Sequence, residues 1–171
     1  MITLTTNKLL FLNQSLEKLV KYTEEHPISF STSYRIARIA TKVESSLSEY
    51  FKKRDSLILK YGKELFEKDK DGNTIMIKDK DGNNVPKKTG AFAIEPFDEN
   101  FIKYNEDNNV LLNQEVELTN VFPMSVKEFD EIKISLSTMP GLFFILKEEI
   151  DEKNKEEKEA KEKEVKEETK E

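Results

Sequence analysis

Apolar side chains recur at steps of four and three along one stretch: Ile36, Ala40, Val43, Leu47, Tyr50, Leu57 and Tyr61, with Arg54 as the polar member of the series. A period of about 3.5 over eight positions predicts a helix, because a strand alternates every two residues. The helix is expected over residues 31–61, about 45 Å long at about 1.5 Å per residue. A helix of that length is stabilised mainly by packing its apolar stripe, so this one is the expected spine of the fold. Leu9, Leu12, Leu16 and Leu19 predict a shorter helix over Asn7–Glu24. Thr5 or Thr6 would cap its start and His26-Pro27 would end it. The joint before the spine is short and offers Ser29, Ser31 and Ser33 as caps, so the two helices should form an antiparallel hairpin.

Before the first helix, Ile2 and Leu4 alternate with threonines and predict a short strand. After the spine, Gly62 reads as a left-handed helix stop. Lys68-Asp69-Lys70-Asp71-Gly72-Asn73 then recurs ten residues later as Lys78-Asp79-Lys80-Asp81-Gly82-Asn83, around Thr74-Ile75-Met76-Ile77. Asp-Gly marks hairpin turns, so a small meander of three strands is expected. A short helix follows over Asp98–Asn105, anchored by Phe101, Ile102 and Tyr104. The clearest strand pattern is Glu115–Val121, ended by Pro123. Ser125 caps a short turn over Val126–Glu131, and Ile132 with Ile134 suggest a last strand fragment. A closing helix begins at Ser137, tolerates Pro140 in its first turn and presents Met139, Leu142, Phe143, Leu146 and Ile150. The expected class is α+β: a helical hairpin with a long second helix, a small antiparallel sheet against the lower half of the spine, and a C-terminal helix. One domain is expected over residues 1–150, and residues 151–171 form a Lys/Glu tail, helical or disordered.

Composition narrows the chemistry. The 171 residues carry a net charge of −6 and no cysteine, which removes disulfides and thiolate metal sites. No apolar run is long enough for a membrane helix, and the N-terminus lacks a basic-then-apolar leader pattern. Residues 1–62 hold ten basic and six acidic side chains, against ten and sixteen in residues 63–146.

The two Asp-rich repeats imitate the start of a calcium loop, with Asp69, Asp71 and Asn73 at positions one, three and five. The glycine needed at position six is Thr74 and the glutamate at twelve is Lys80; the second copy has Asn84 and Gly90 there. Both repeats are therefore read as plain turns, and no metal or cofactor is expected. His26 is the only histidine and has no nucleophile in a recognisable context. No phosphate loop or dinucleotide fingerprint occurs, so no catalytic residue is assigned and no enzyme is expected. Arg35, Arg38 and Lys42 lie at helical spacing, with Lys52 and Lys53 lower on the same helix. They form the candidate interaction surface; interspersed acids and the acidic chain speak against nucleic acid. Arg54 must either reach a carboxylate of the β region or pack its stem and leave its head wet.

The segments Tyr34-Arg35-Ile36-Ala37, Arg54-Asp55-Ser56-Leu57, Leu59-Lys60-Tyr61-Gly62 and Leu112-Asn113-Gln114-Glu115-Val116-Glu117-Leu118 complete a layout. It resembles a group of small tailed-phage proteins with no assigned activity, over roughly residues 1–150. The chain departs from that group in its two Asp-Gly-Asn turns, its longer middle and its charged tail. The resemblance implies a bacteriophage origin and a life in the host cytoplasm during infection or in the virion. The expected role is a virion-associated or assembly module acting by protein–protein contact, with other phage proteins or with itself as a homo-oligomer. The alternative is an early regulatory or anti-host inhibitor of a bacterial enzyme or nucleic-acid-processing complex.

Overall fold

The computed structural model describes residues 2–134, 139–147, 150–152 and 155. In chain order the elements are β1 (Ile2–Thr5), α1 (Thr6–Glu25), α2 (Phe30–Tyr61), β2 (Lys63–Phe66), β3 (Met76–Lys78), β4 (Asn84–Pro86), β5 (Lys88–Ala93), α3 (Glu99–Leu112), β6 (Glu115–Leu118), α4 (Val126–Ile132) and a closing 3-10 helix (Pro140–Ile145). The class is α+β with a helical hairpin at its start. Two compact units arise, Met1–Glu49 with Asn113–Glu171, and Tyr50–Leu112. Helix α2 contributes its first turns to one unit and its last turns to the other. No helix among the described residues is long and apolar enough to cross a membrane.

The first unit holds the core. Thr5 caps α1 by accepting from the Lys8 N–H, and the Thr6 N–H donates to the Gln114 carbonyl at 2.9 Å. That bond closes the antiparallel pairing of β1 with β6, in which Ile2 faces Leu118 and Leu4 faces Val116. Leu9, Leu12, Leu16 and Leu19 of α1 are all buried, as their spacing requires. On α2 the buried positions are Ile36, Ile39, Val43 and Leu47. Ile39 takes the place expected for Ala40, which is only half-buried. Helical residues three and four apart share a face, so both fit the stripe, and the larger side chain gains more by leaving water. Ser29 serves as the cap of α2, its hydroxyl accepting from the Thr32 N–H at 3.2 Å.

The end of the chain differs from its reading. Ile132 closes α4 and Lys133 turns left-handed at φ 57°, so the strand fragment at Ile132 and Ile134 does not form. The expected cap Ser137 lies outside the described residues. Past Met139 the chain is a 3-10 helix with Pro140 in its first turn. Its period of three places Leu142 and Ile145 together in the core and leaves Phe143 41% exposed. Leu146 then makes a parallel bridge to Met124. Gly141 is obligatory there: its N–H donates to the buried Ser15 hydroxyl at 3.1 Å, and a Cβ would lie 2.5 Å from the Phe11 carbonyl oxygen. The tail expected at 151–171 falls outside the described residues except at 151, 152 and 155, which are helical.

The second unit is built from the last turns of α2, four strands and α3. The expected meander is replaced by a three-armed junction. β2 pairs with β5, β3 with β4, and Lys68 bridges Thr74. The arms meet at Glu67, Ile75 and Lys87, whose backbones form a closed ring. The Glu67 N–H donates to the Lys87 carbonyl at 2.8 Å, Lys87 to Ile75 at 2.8 Å, and Ile75 to Glu67 at 2.9 Å. Both Asp-Gly turns are hairpin tips of the same construction, with Gly72 at φ 86° and Gly82 at φ 83°. Asp69 Oδ1 accepts the N–H groups of Asp71 and Asn73, each at 2.9 Å, and Asp79 repeats this with Asp81 and Asn83. Gly62 is not left-handed. It is required because a Cβ would sit 2.4 Å from the Ile58 oxygen and 3.2 Å from the Ala93 oxygen.

Helix α3 starts at an Asp98 cap, whose Oδ1 accepts the Phe101 N–H at 2.7 Å, and runs to Leu112 rather than to Asn105. Tyr61 donates to Asp107 at 2.7 Å, joined by Lys60 at 3.1 Å, which ties α3 to the end of α2. Arg54 follows the second of its two expected courses. It pairs with its neighbour Asp55 at 2.8 Å, lies 5.1 Å from the Phe51 ring centre and stays partly in water.

Candidate interaction surface

Burying Ile36, Ile39, Val43 and Leu47 turns the opposite side of α2 outward in the first unit. That side carries more than cations. Phe30 is 85% exposed and Tyr34 59% exposed, one helical turn apart with ring centres 6.3 Å apart. Below them Arg38 lies over the ring of Phe122, 5.7 Å from its centre, and Phe122 is itself 60% exposed. Asn120, at φ 59°, lies in the turn after β6 that leads to Phe122. Between α2 and the turn after β6 lies an open concavity of about 520 Å³, lined by Tyr34, Arg38, Thr41, Lys42, Thr119 and Asn120.

The five candidate cations lie in different settings. Arg35 forms an ion pair with Glu128, whose other carboxylate oxygen accepts the Ser125 N–H at 2.8 Å and the Ser125 hydroxyl at 3.1 Å. Arg35 thus anchors α4 to α2 through the capping glutamate, a structural task. Arg38 and Lys42 line the concavity. Lys52 and Lys53 belong to the second unit. The aromatic members Phe30, Tyr34 and Phe122 were missing from the sequence-derived set. Their signal was present: Phe30 and Tyr34 are large, four residues apart and off the buried stripe.

His26 stacks on Tyr22 at 4.1 Å and is exposed at the helical joint. Asp69, Asp79 and Asp107 each ionise below the ordinary aspartate range. For the first two the main cause is the N–H of Asn73 or Asn83; for Asp107 it is the Tyr61 hydroxyl, then Lys60. These carboxylates are occupied by the chain's own donors. Among the described residues no three His, Asp or Glu side chains converge as a metal site. The surface offers stacking, cation–π contact and charge to a partner, but no nucleophile beside a base. No family model, curated protein or solved structure matches this chain.

Proposed function

We propose that the protein works by contact rather than by catalysis, as a virion-associated or assembly module of a tailed phage. The observation that carries the reading is the outward face of α2, where Phe30, Tyr34 and Phe122 are each more than half exposed around Arg38. Large aromatic side chains with an arginine are the residue types that dominate binding energy at protein interfaces. A side chain that spends its exposure this way stabilises a complex and not the free chain. The phage origin rests on the resemblance in the helix starts, the Tyr-Gly helix end and the Glu-Val-Glu-Leu strand.

The test is quantitative mass spectrometry of purified particles and assembly intermediates of the phage that encodes the chain. The expected result is a fixed copy number, lost when Phe30→Ser and Phe122→Ser are combined in a chain that still folds. Absence from both particles and intermediates overturns the structural role. Early synthesis with a host enzyme co-purifying would then favour the anti-host inhibitor.

A further inference from the structure

The concavity on the outward face of α2 has a charge opposite to that of the chain around it. Arg38 and Lys42 line it, one helical turn apart, and among the described residues no carboxylate does. Glu44, the one acid between Ser29 and Ser48, lines a different groove, against α1. Arg35 is taken by Glu128. Among the described residues neither Arg38 nor Lys42 forms an ion pair. Two unpaired cations thus share one face of a chain whose net charge is −6.

The apolar part of the face is large. Phe30 and Tyr34 lie on the N-terminal side of Arg38, and Phe122 lies under its guanidinium. At 85%, 59% and 60% exposure the three rings present on the order of 400 Å² to water, taking about 200 Å² for each whole side chain. Patches of that size on a folded monomer are often binding sites.

We infer that the partner segment taken by this face is an acidic peptide, an inference that rests on the contact role proposed for α2. A neutral apolar segment would strip water from two cations and leave them unpaired, and a basic one would repel them. The spacing specifies the segment further. Residues four apart on a helix are separated by about 6 Å along its axis, which carboxylates at i and i+4 of a helix, or i and i+2 of an extended chain, can match. The rings of Phe30 and Tyr34 then require apolar side chains to one side of the carboxylate pair. Single-stranded nucleic acid also uses rings and cations, but it needs a basic groove that follows its backbone. Two cations on an acidic chain do not make one.

Selection of random peptides of about twelve residues, displayed on yeast, against the immobilised full chain tests this. Enriched sequences should pair Asp or Glu at those spacings, with aromatic or branched apolar residues on one side. The best should bind in calorimetry with a Kd of about 10–100 µM, as expected for a small interface. Arg38→Gln combined with Lys42→Gln should weaken that binding about tenfold. Lys18→Gln, which removes the same charge from an exposed position of α1, should leave it unchanged. Should the double variant fail to fold, the composition enriched by the unaltered chain decides. No enrichment, enrichment without acids, equal binding by a folded double variant, or tighter binding of oligo-dT overturns the inference. A fixed copy number in particles with no acidic peptide bound would leave the contact role standing and remove this partner. Acidic peptides bound by a chain absent from particles would do the reverse.

Discussion

The two units solve the same problem with opposite results. In the first, nineteen apolar side chains among the described residues are buried, and Leu9, Leu12, Leu19, Val43, Leu118, Met124, Leu142 and Ile145 reach zero exposure. In the second, which also combines helices with paired strands, the best-covered side chains are half-buried. The difference lies in what faces what. Helix α1 and the closing 3-10 helix bring two apolar surfaces together, whereas the β arms of the second unit are single ladders with two open faces. Secondary structure alone therefore does not make a core; layers do.

The sharpest way to break this contrast is a matched pair of truncations. Phe129→Ala, at 1% exposure, should cost about 3–5 kcal/mol in urea unfolding. Phe66→Ala, at 40% exposure, should cost less than about 1.5 kcal/mol. Equal losses would show that the second unit has a core after all.

Two glycines probe the same contrast with one methyl group each. In Gly141→Ala the new Cβ meets the Phe11 oxygen and the Ser15 hydroxyl at 2.5 and 2.6 Å. Neither can move without disturbing α1, so a loss of about 1–3 kcal/mol is expected. Gly62→Ala meets the Ile58 oxygen at 2.4 Å, but in a unit with room to shift. Its loss should be smaller and confined, in hydrogen exchange, to residues 50–112. A larger loss at Gly62 would reverse the ranking.

Sequence reading worked where one residue's neighbours decide its fate. The leucines of α1 and Ile36, Val43 and Leu47 of α2 follow from period alone, whereas Ala40, Tyr50, Leu57 and Tyr61 of the expected stripe are only half-buried; the Asp-Gly tips follow from local turn chemistry. It failed where distant pairs decide. The ring of Glu67, Ile75 and Lys87 joins positions that no short window connects, so the junction looked like a meander. Gly62 does follow the last residue of α2, but it looked left-handed, whereas its need for no side chain comes from the Ile58 oxygen and, far along the chain, the Ala93 oxygen. On the candidate surface, Arg35 was chosen for its charge, yet charge cannot reveal that Glu128 will claim it. Phe30 and Tyr34 were overlooked because apolar residues were sought only on the buried stripe.

Acid should act on the second unit before the first. Asp69, Asp79 and Asp107 have folded-state pKa values below the ordinary 3.8. Folding therefore favours their charged forms. That stabilisation is complete above 3.8, declines as pH falls through it, and is gone below the lower folded values. In a titration from about pH 5 to 2.5, the amide signals of Gly72 and Gly82 should shift and broaden. The Gly141 amide, held by the Ser15 hydroxyl, has no titrating partner and should keep its position. Simultaneous loss of all three signals would mean one cooperative structure instead of two unequal ones.

The smallest effect is a gain. Phe97 sits at φ 71° and is 93% exposed, so an aromatic residue occupies a conformation that glycine prefers, without burial in return. Left-handed backbone costs a non-glycine residue roughly 1–2 kcal/mol. Glycine removes that cost but adds about 0.5–1 kcal/mol of chain entropy in the unfolded state. Phe97→Gly should therefore stabilise the second unit by roughly 0.5–1 kcal/mol, less the weak ring contact with Phe101 at 6.2 Å. Hydrogen exchange in α3 should slow slightly, and the first unit should not respond. Should Phe97→Gly instead destabilise α3, the exposed ring would be holding the helix start, and the second unit would depend on it for cover that its strands do not give.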